Sequence, residues 1–258
     1  MPPLARPFRL ACRVRCLTAG LFLCLLPSLP ALAAEERFYR VAVLENSPPM
    51  SYRDANGQLT GFTVALSRAL CEEMRIVCRW QVTTLGTVVD EISSGQIDIA
   101  AISLLDTPER RKRVLFAKPY FRSRTLWFAR SGIPPGTAGL RVAVVGGSAQ
   151  ERYARNQGWL LVPVRTNGDL GDPLASGQAQ AAIIPMSTAF GLMQQPKFRD
   201  LGLSSTVMEA PELSGDASFG ISPQYPELKE QLDAALERLK RNGVYDRINS
   251  QFLPFRIN

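Results

Sequence analysis

Four consecutive cations lie in the stretch DTPERRKRVLF at 106–116, where residue types and spacing suggest a specific chemistry. Thr107 is a preferred helix N-cap and Pro108 suits the first helical position, which places Arg110 in the first turn of a helix. A cation there opposes the helix dipole by about 0.3–1 kcal/mol, an arrangement that a nearby anion would favour. The preceding run, IDIAAIS at 97–103, is typical of a buried parallel strand, and ligand crevices form where such strands end. From spacing alone, an anion-binding role and an ordinary structural role for Arg110 both stay open.

The N-terminus has the pattern of a secretory signal peptide. Four arginines between residues 6 and 15 precede the apolar run CLTAGLFLCLLPSLP, and Ala31-Leu32-Ala33 offers a cleavage site. The apolar run is shorter than the roughly 20 residues of a membrane span and contains two prolines. We therefore predict that residues 1–33 are removed on export, leaving a periplasmic protein with no membrane insertion.

Removal of the signal changes the charge balance. The whole chain has 30 basic and 23 acidic residues and a net charge of +7. Without the four signal arginines, 26 basic residues face the same 23 acidic ones, and the net charge falls to +3. A nucleic-acid partner is therefore not expected. Arg111, Lys112 and Arg113 are interpreted as a solvated helix face.

Cysteine and histidine usage limits the chemistry. After removal of the signal only Cys71 and Cys78 remain, and two cysteines in an exported chain suggest a disulfide, with two buried free thiols as the alternative. The sequence has no histidine, which excludes Ser-His-Asp and Cys-His nucleophile systems and HExxH zinc sites. Two thiols are too few for a thiolate zinc site. We expect neither a catalytic residue nor a metal or cofactor.

Alternating strand and helix patterns predict an α/β protein with a parallel sheet and helices on both faces. Two such units are indicated, at about 37–125 and 130–215, followed by C-terminal helices. In the second unit, Gly146-Gly147-Ser148 stands between a strand and a helix, where backbone N–H groups can approach an anion. Alone this signal is weak, because such turns often only connect elements.

Four stretches together resemble the extracellular solute-binding proteins of family 3, the periplasmic receptors of polar amino-acid ABC importers. The resemblance covers about residues 38–254, and the pair Cys71 and Cys78 is similar to the disulfide of the lysine/arginine/ornithine-binding branch. The matching stretches are RVAVLENSPPMSYRDANGQLTGFTVAL, SGQIDIAAISLLDTPERRKRVLFAKPYF, GLRVAVVGGSAQE and PELKEQLDAALERLKRNGVYDRINSQF. The resemblance implies the type II periplasmic binding protein fold. Two lobes, 37–124 plus 222–258 and 125–221, would be joined by two hinge strands and close over a ligand.

The resemblance also implies a binding site. Arg110 would take a ligand carboxylate bidentately, and Gly147, Ser148 and Ala149 would form the anion loop of the second lobe. The implied ligand contacts are Ser47, Leu85, Ser103, Leu105, Thr107, Arg110, Gly147, Ser148, Ala149 and Pro185.

Four of these positions depart from the pattern of amino-acid receptors. Ser47 and Leu85 replace aromatic residues, Leu105 replaces a hydroxyl residue, and Pro185 replaces the aspartate that holds an α-ammonium. Either the ligand lacks that ammonium or another acid substitutes, for which Glu45, Asp106 and Glu209 are candidates.

The resulting prediction is a monomeric periplasmic protein that binds a small carboxylate-bearing solute for an inner-membrane ABC permease. Two alternatives are an importer-independent sensory or accessory binding protein and a cleft enzyme similar to cyclohexadienyl dehydratase. The second needs a poised acid or base, for which Glu45 and Asp106 are the only candidates.

Overall fold

Thirteen strands and nine α-helices are formed by residues 37–256, the part of the chain that the structure, a computed structural model, describes. The predicted signal peptide, residues 1–33, lies outside the described residues. The strands are β1 Phe38–Leu44, β2 Tyr52–Arg53, β3 Leu59–Thr60, β4 Val77–Thr83, β5 Ile99–Leu105, β6 Leu115–Phe116, β7 Phe121–Ser123, β8 Thr125–Ala129, β9 Arg141–Val145, β10 Leu160–Val164, β11 Ala181–Pro185, β12 Ser204–Val207 and β13 Gly215–Ile221.

The α-helices range from one turn to four turns. They are α1 Phe62–Met74, α2 Val88–Ser93, α3 Pro108–Arg111, α4 Ala149–Asn156, α5 Gly171–Ala175, α6 Met186–Met193, α7 Pro196–Arg199, α8 Glu227–Arg241 and α9 Val244–Phe252. Among residues 37–256, no helix is long and apolar enough to cross a membrane.

The first sheet has the order β4-β1-β5-β13-β6, with β7 pairing to β13. Strand β1 runs parallel to β4 and β5. Helices α1, α8 and α9 cover one face, where Leu66 and Leu70 pack in one cluster with Leu232 and Leu236. Helix α2 covers the other face through Ile92 and its neighbours. Burial of each such leucine side chain contributes about 1.5–3 kcal/mol to stability, and these contacts fix the helices against the sheet.

The second sheet has the order β10-β9-β11-β8-β12. One face packs against Leu170, just before α5, and against Ala189 of α6 and Phe198 of α7. The other face packs against Ala154 of α4 and its neighbours. The predicted α/β class with helices on both faces of a sheet is confirmed.

The predicted parallel pairing is interrupted by one strand in each sheet. Strand β13 is antiparallel to β5, β6 and β7, and β8 is antiparallel to β11 and β12. The chain passes from the first sheet to the second between β7 and β8 and returns between β12 and β13. Strands β8 and β13 each enter a sheet from the side where its parallel strands end, so they run in the opposite direction.

The return strand bears on the predicted division into lobes. Strand β13 pairs with β5, β6 and β7 of the first sheet, whereas the predicted second lobe runs to residue 221. The sequence resemblance did not indicate which strands pair with β13. We therefore propose the same two lobes with residues 215–221 assigned to the first.

A disulfide joins Cys71, in the last turn of α1, to Cys78 in β4. Arg75 follows α1 in the left-handed conformation and turns the chain back toward the strand. The bridge therefore fixes the end of a helix to the adjacent strand, and the predicted pairing is confirmed over the alternative of free thiols.

Candidate functional site

Arg110 is positioned by the N-cap that the sequence predicted. The side chain of Thr107 accepts a hydrogen bond from the backbone N–H of Arg110 at 3.4 Å, with Pro108 at the first helical position. Arg110 is buried, with 7% of its surface exposed. Arg111, Lys112 and Arg113 are all exposed. Of the four consecutive cations, Arg110 is therefore the buried one.

The guanidinium of Arg110 bridges the two sheets. Nη1 donates to the carbonyl oxygen of Leu105 at 2.9 Å, and Nη2 to that of Gly147 at 3.4 Å. No carboxylate among the described residues forms an ion pair with it. Burial, and secondarily the charge of Arg152, lowers its pKa to about 10, so the group is a cation at neutral pH. With five N–H donors, it keeps donors free for an anion.

A cavity of about 50 Å³ lies against Arg110, between the carboxyl ends of strands from both sheets. It is lined by Leu44, Ser47, Met50, Ser51, Thr63, Leu85, Ile102, Ser103, Leu105, Arg110, Ser123, Val145, Ser148, Ala149, Gln150, Asn167, Ile183, Pro185, Ser187 and Thr188. The structure thus brings eight of the ten predicted ligand residues together. Thr107 and Gly147 stay outside the lining.

Gly147 lies beside the site but contributes its carbonyl group. Its N–H donates to Oε2 of Glu151 at 2.7 Å, while Ser148 Oγ accepts from the N–H of Glu151 at 2.9 Å. Ser148 thereby caps helix α4, while the Glu151 carboxylate binds the N–H of the residue that precedes the cap. One backbone N–H of the predicted anion loop, that of Gly147, is therefore already bonded within the protein. The N–H groups of Ala149 and Gln150 are at the uncapped first positions of the helix.

Sequence reasoning missed the amide and hydroxyl residues of the second sheet's loops. Asn167, Ser187 and Thr188 line the cavity from segments that follow β10 and β11. The rule that ligands bind beyond the carboxyl ends of strands applies to them as it did to Arg110. Applied to every strand of the sequence, it would have found Ser187 and Thr188, which directly follow β11.

The segment after β1 contacts the segment after β10 across the cavity. Asn167 Nδ2 donates to Ser47 Oγ at 2.8 Å, and Arg165 pairs with Glu45 at 3.1 Å. Asn46 Nδ2 donates to Thr166 Oγ1 at 3.2 Å and to Oδ1 of Asp169 at 3.3 Å. These bonds hold the two sheets in a closed arrangement around the cavity.

The three candidate partners for an ammonium lie elsewhere. Glu45 is engaged by Arg165, and Asp106 accepts two hydrogen bonds from Arg111. Glu209 is exposed. None of the three lines the cavity, because each carboxylate is directed to solvent or to a surface arginine.

The chain is similar to known proteins over nearly all of its described length. The family model "Bacterial extracellular solute-binding proteins, family 3" matches residues 39–255. The lysine/arginine/ornithine-binding periplasmic protein of Escherichia coli (strain K12) is 26% identical over 237 residues, covering 87% of this chain and 91% of that protein. The L-arginine-binding protein of Pseudomonas aeruginosa is 26% identical over 246 residues, covering 89% and 93%.

A solved structure shows the same fold. An ancestral arginine-binding protein bound to arginine superimposes with a TM-score of 0.76 at 24% sequence identity. The match covers 84% of this chain and 99% of that one. The two sheets with their helices therefore form the two-lobe architecture of periplasmic binding proteins.

Proposed function

Because the chain belongs to the bacterial extracellular solute-binding proteins, family 3, we propose that it captures a small carboxylate-bearing solute between its lobes. Arg110 is the proposed clamp for the carboxylate. The first lobe comprises residues 37–124 and 215–258, and the second comprises 125–214. The segments between β7 and β8 and between β12 and β13 act as hinges.

One observation carries this proposal: a buried arginine with no anionic partner faces a cavity. A buried charge without a counterion is costly, and proteins normally pair it. Among residues 37–256, the partners of the Arg110 guanidinium are two carbonyl oxygens, at 2.9 and 3.4 Å. A bidentate carboxylate would supply both the missing charge and two short hydrogen bonds.

The character of the lining favours binding over catalysis. Among the described residues, the cavity offers hydroxyl, amide and apolar side chains, and Arg110 is its one ionisable group. General acid–base catalysis needs a group with a pKa near the working pH, and an arginine with a pKa of about 10 does not meet that need. The two acids considered as alternatives, Glu45 and Asp106, lie outside the lining.

The relatives suggest where the protein works. The Escherichia coli relative is by name a periplasmic protein. We propose that residues 1–33 direct export to the periplasm, that the mature chain is a monomer, and that its closed form docks on an inner-membrane ABC permease. Capture requires no cofactor in this scheme, since the clamp and the lining belong to the chain itself.

Thermal shift and calorimetric titration of the mature chain test the clamp. Against a panel of amino acids, hydroxy acids and dicarboxylates, at least one carboxylate should stabilise the wild type. Arg110→Met should weaken that ligand at least about a hundredfold, because it removes a desolvated charge-assisted contact.

The control is Lys112→Met, which removes an exposed cation two residues away and should leave the affinity unchanged. Because Arg110 has no anionic partner, Arg110→Met should also keep the stability of the unliganded protein. Undiminished affinity in Arg110→Met, or equal losses in both variants, would refute the clamp.

A further inference from the structure

The cavity carries a net charge of +1. Arg110 supplies it, and none of the other described residues in the lining is an acid or a base. The nearby carboxylates are committed elsewhere. Glu151, next to the lining, accepts from the N–H of Gly147 at 2.7 Å and pairs with Arg155 at 2.7 Å. Asp169 accepts from the N–H of Thr166 at 3.0 Å.

A ligand's own charge decides whether this buried cation is neutralised. A monocarboxylate brings the total charge of the occupied cavity to zero. A zwitterionic amino acid leaves it at +1, and arginine or lysine raises it to +2. Like charges in a desolvated site repel strongly, and the neutral oxygen acceptors of the lining offset the lost hydration of an ammonium less than a carboxylate would. The affinity order expected from charge is therefore monocarboxylate, then zwitterion, then basic amino acid.

The size of the cavity is compatible with a small solute. Its volume is about 50 Å³, more than the roughly 10–15 Å³ that a single water needs. The hydrogen bond between Asn167 and Ser47, at 2.8 Å, joins two residues of its lining that come from the two sheets.

The polar lining is suited to a hydroxyl group. Nε2 of Gln150 donates to Thr125 at 3.0 Å and Nδ2 of Asn167 donates to Ser47, which leaves both amide oxygens as acceptors. Ser103 Oγ accepts from the hydroxyl of Tyr120 at 2.9 Å, so its own hydrogen is left to donate. A hydroxyl can serve both kinds of partner because it is donor and acceptor at once.

We infer that the cavity selects 2-hydroxy monocarboxylates and rejects amino acids, the basic ones most strongly. The inference rests on the proposed function, since it requires that Arg110 hold the carboxylate. It assigns this chain a ligand class different from the arginine and lysine named for its relatives.

Three ligands of one shape test the inference by calorimetric titration of the mature protein. Lactate, alanine and propionate differ only in the group on the second carbon: hydroxyl, ammonium or hydrogen. Lactate should bind at least about 30-fold more tightly than alanine, and arginine should bind more weakly still. Propionate should be about tenfold weaker than lactate, since it lacks the hydroxyl.

A variant gives a gain of function as the second readout. Pro185 lines the cavity and is the N-cap of helix α6, a position where aspartate is favoured. Pro185→Asp should therefore fold and, by providing a carboxylate, reverse the preference so that alanine binds more tightly than lactate. The matched control is Met193→Asp, which places the same residue at an exposed position of the same helix. It should leave the preference for lactate over alanine unchanged.

The outcomes separate the two proposals. If alanine or arginine binds the wild type as tightly as lactate, and Arg110→Met abolishes that binding, the ligand class is wrong while the clamp stands. If propionate equals lactate, the hydroxyl assignment is wrong. If no carboxylate binds in an Arg110-dependent way, the proposed function and the ligand class both fail.

Discussion

Gly191 lies where the second lobe meets the first, and a single methyl group there should hold the lobes apart. It occupies the second half of helix α6, with its Cα facing the Pro48-Pro49 backbone. A Cβ at this position would lie 2.7 Å from the carbonyl carbon of Pro48 and 2.9 Å from Cδ of Pro49. An ordinary contact lies at 3.4–4 Å, so the lobes would have to separate by about 1 Å at this point.

The cost can be worked out from the neighbouring hydrogen bonds. Ser47, next to Pro48, accepts from Asn167 at 2.8 Å, and Asn46 donates at 3.2 and 3.3 Å. An opening of about 1 Å takes these beyond hydrogen-bonding distance. Three such bonds at about 0.5–1.5 kcal/mol each contribute about 1.5–4.5 kcal/mol to closure, or about 10- to 2000-fold in affinity.

The same substitution should slightly raise the stability of the unliganded protein. Gly191 is helical, and alanine is favoured there by about 0.5–1 kcal/mol, or about 1–2 °C in Tm for a protein of this size. Gly191→Ala should therefore bind its ligand more weakly by calorimetric titration while melting at an equal or higher temperature without ligand. Met193→Ala, on the exposed side of α6, should leave the affinity unaltered. A Kd within twofold of the wild type would refute the steric reasoning.

The disulfide, a partly buried ion pair and the cavity arginine give three further tests. Cys71→Ser opens a loop with a sequence separation of 7 and should lower the free energy of unfolding by about 2.5 kcal/mol, seen as a Tm about 5 °C lower; an unchanged Tm would contradict it. Asp98→Ala removes the buried carboxylate that Arg40, whose side chain is 35% exposed, contacts at 2.7 Å; it should cost about 1.5–3 kcal/mol in urea unfolding, whereas the exposed Asp90→Ala should cost under about 1 kcal/mol. The proposed clamp needs the protonated form of Arg110, whose pKa is about 10. Carboxylate affinity should therefore be constant from about pH 6 to about pH 8.5 and fall as the pH rises through about 10. A decline already near pH 7 would mean that another group titrates at the site.

Local patterns predicted the elements well, because their causes are local. The Thr107-Pro108 cap placed Arg110 in the first turn of α3, and the apolar run IDIAAIS predicted the buried strand β5. The spacing Ser148-x-x-Glu151 also held a capping signal, which predicts Ser148 as the N-cap of α4 but not the bond that Glu151 accepts from Gly147. The N–H of Gly147 was expected to be available to an anion, but Glu151, four residues later, accepts its hydrogen bond.

The remaining site residues depend on contacts that no local pattern encodes. Asn167 meets Ser47 across 120 positions of sequence, and nothing in either neighbourhood indicates the other. Similarly, strand β13 joins the first sheet more than 100 residues after β5. Long-range pairing of this kind is determined by the closure of the whole fold, so the second sheet's share of the cavity could be found only in the structure.

On the proposed role of Arg110, its charge would couple ligand occupancy to closure. The same guanidinium that faces the cavity bonds Leu105 in the first sheet and Gly147 beside the second, so lobe closure would bury it. Without an anion, closure would desolvate an unpaired cation, which disfavours the closed form. A bound monocarboxylate would remove that cost and so bind the closed form better than the open one, the condition under which a ligand shifts a conformational equilibrium. A zwitterion would leave the net charge in place, so the residue proposed to select the ligand would also determine which ligands close the lobes.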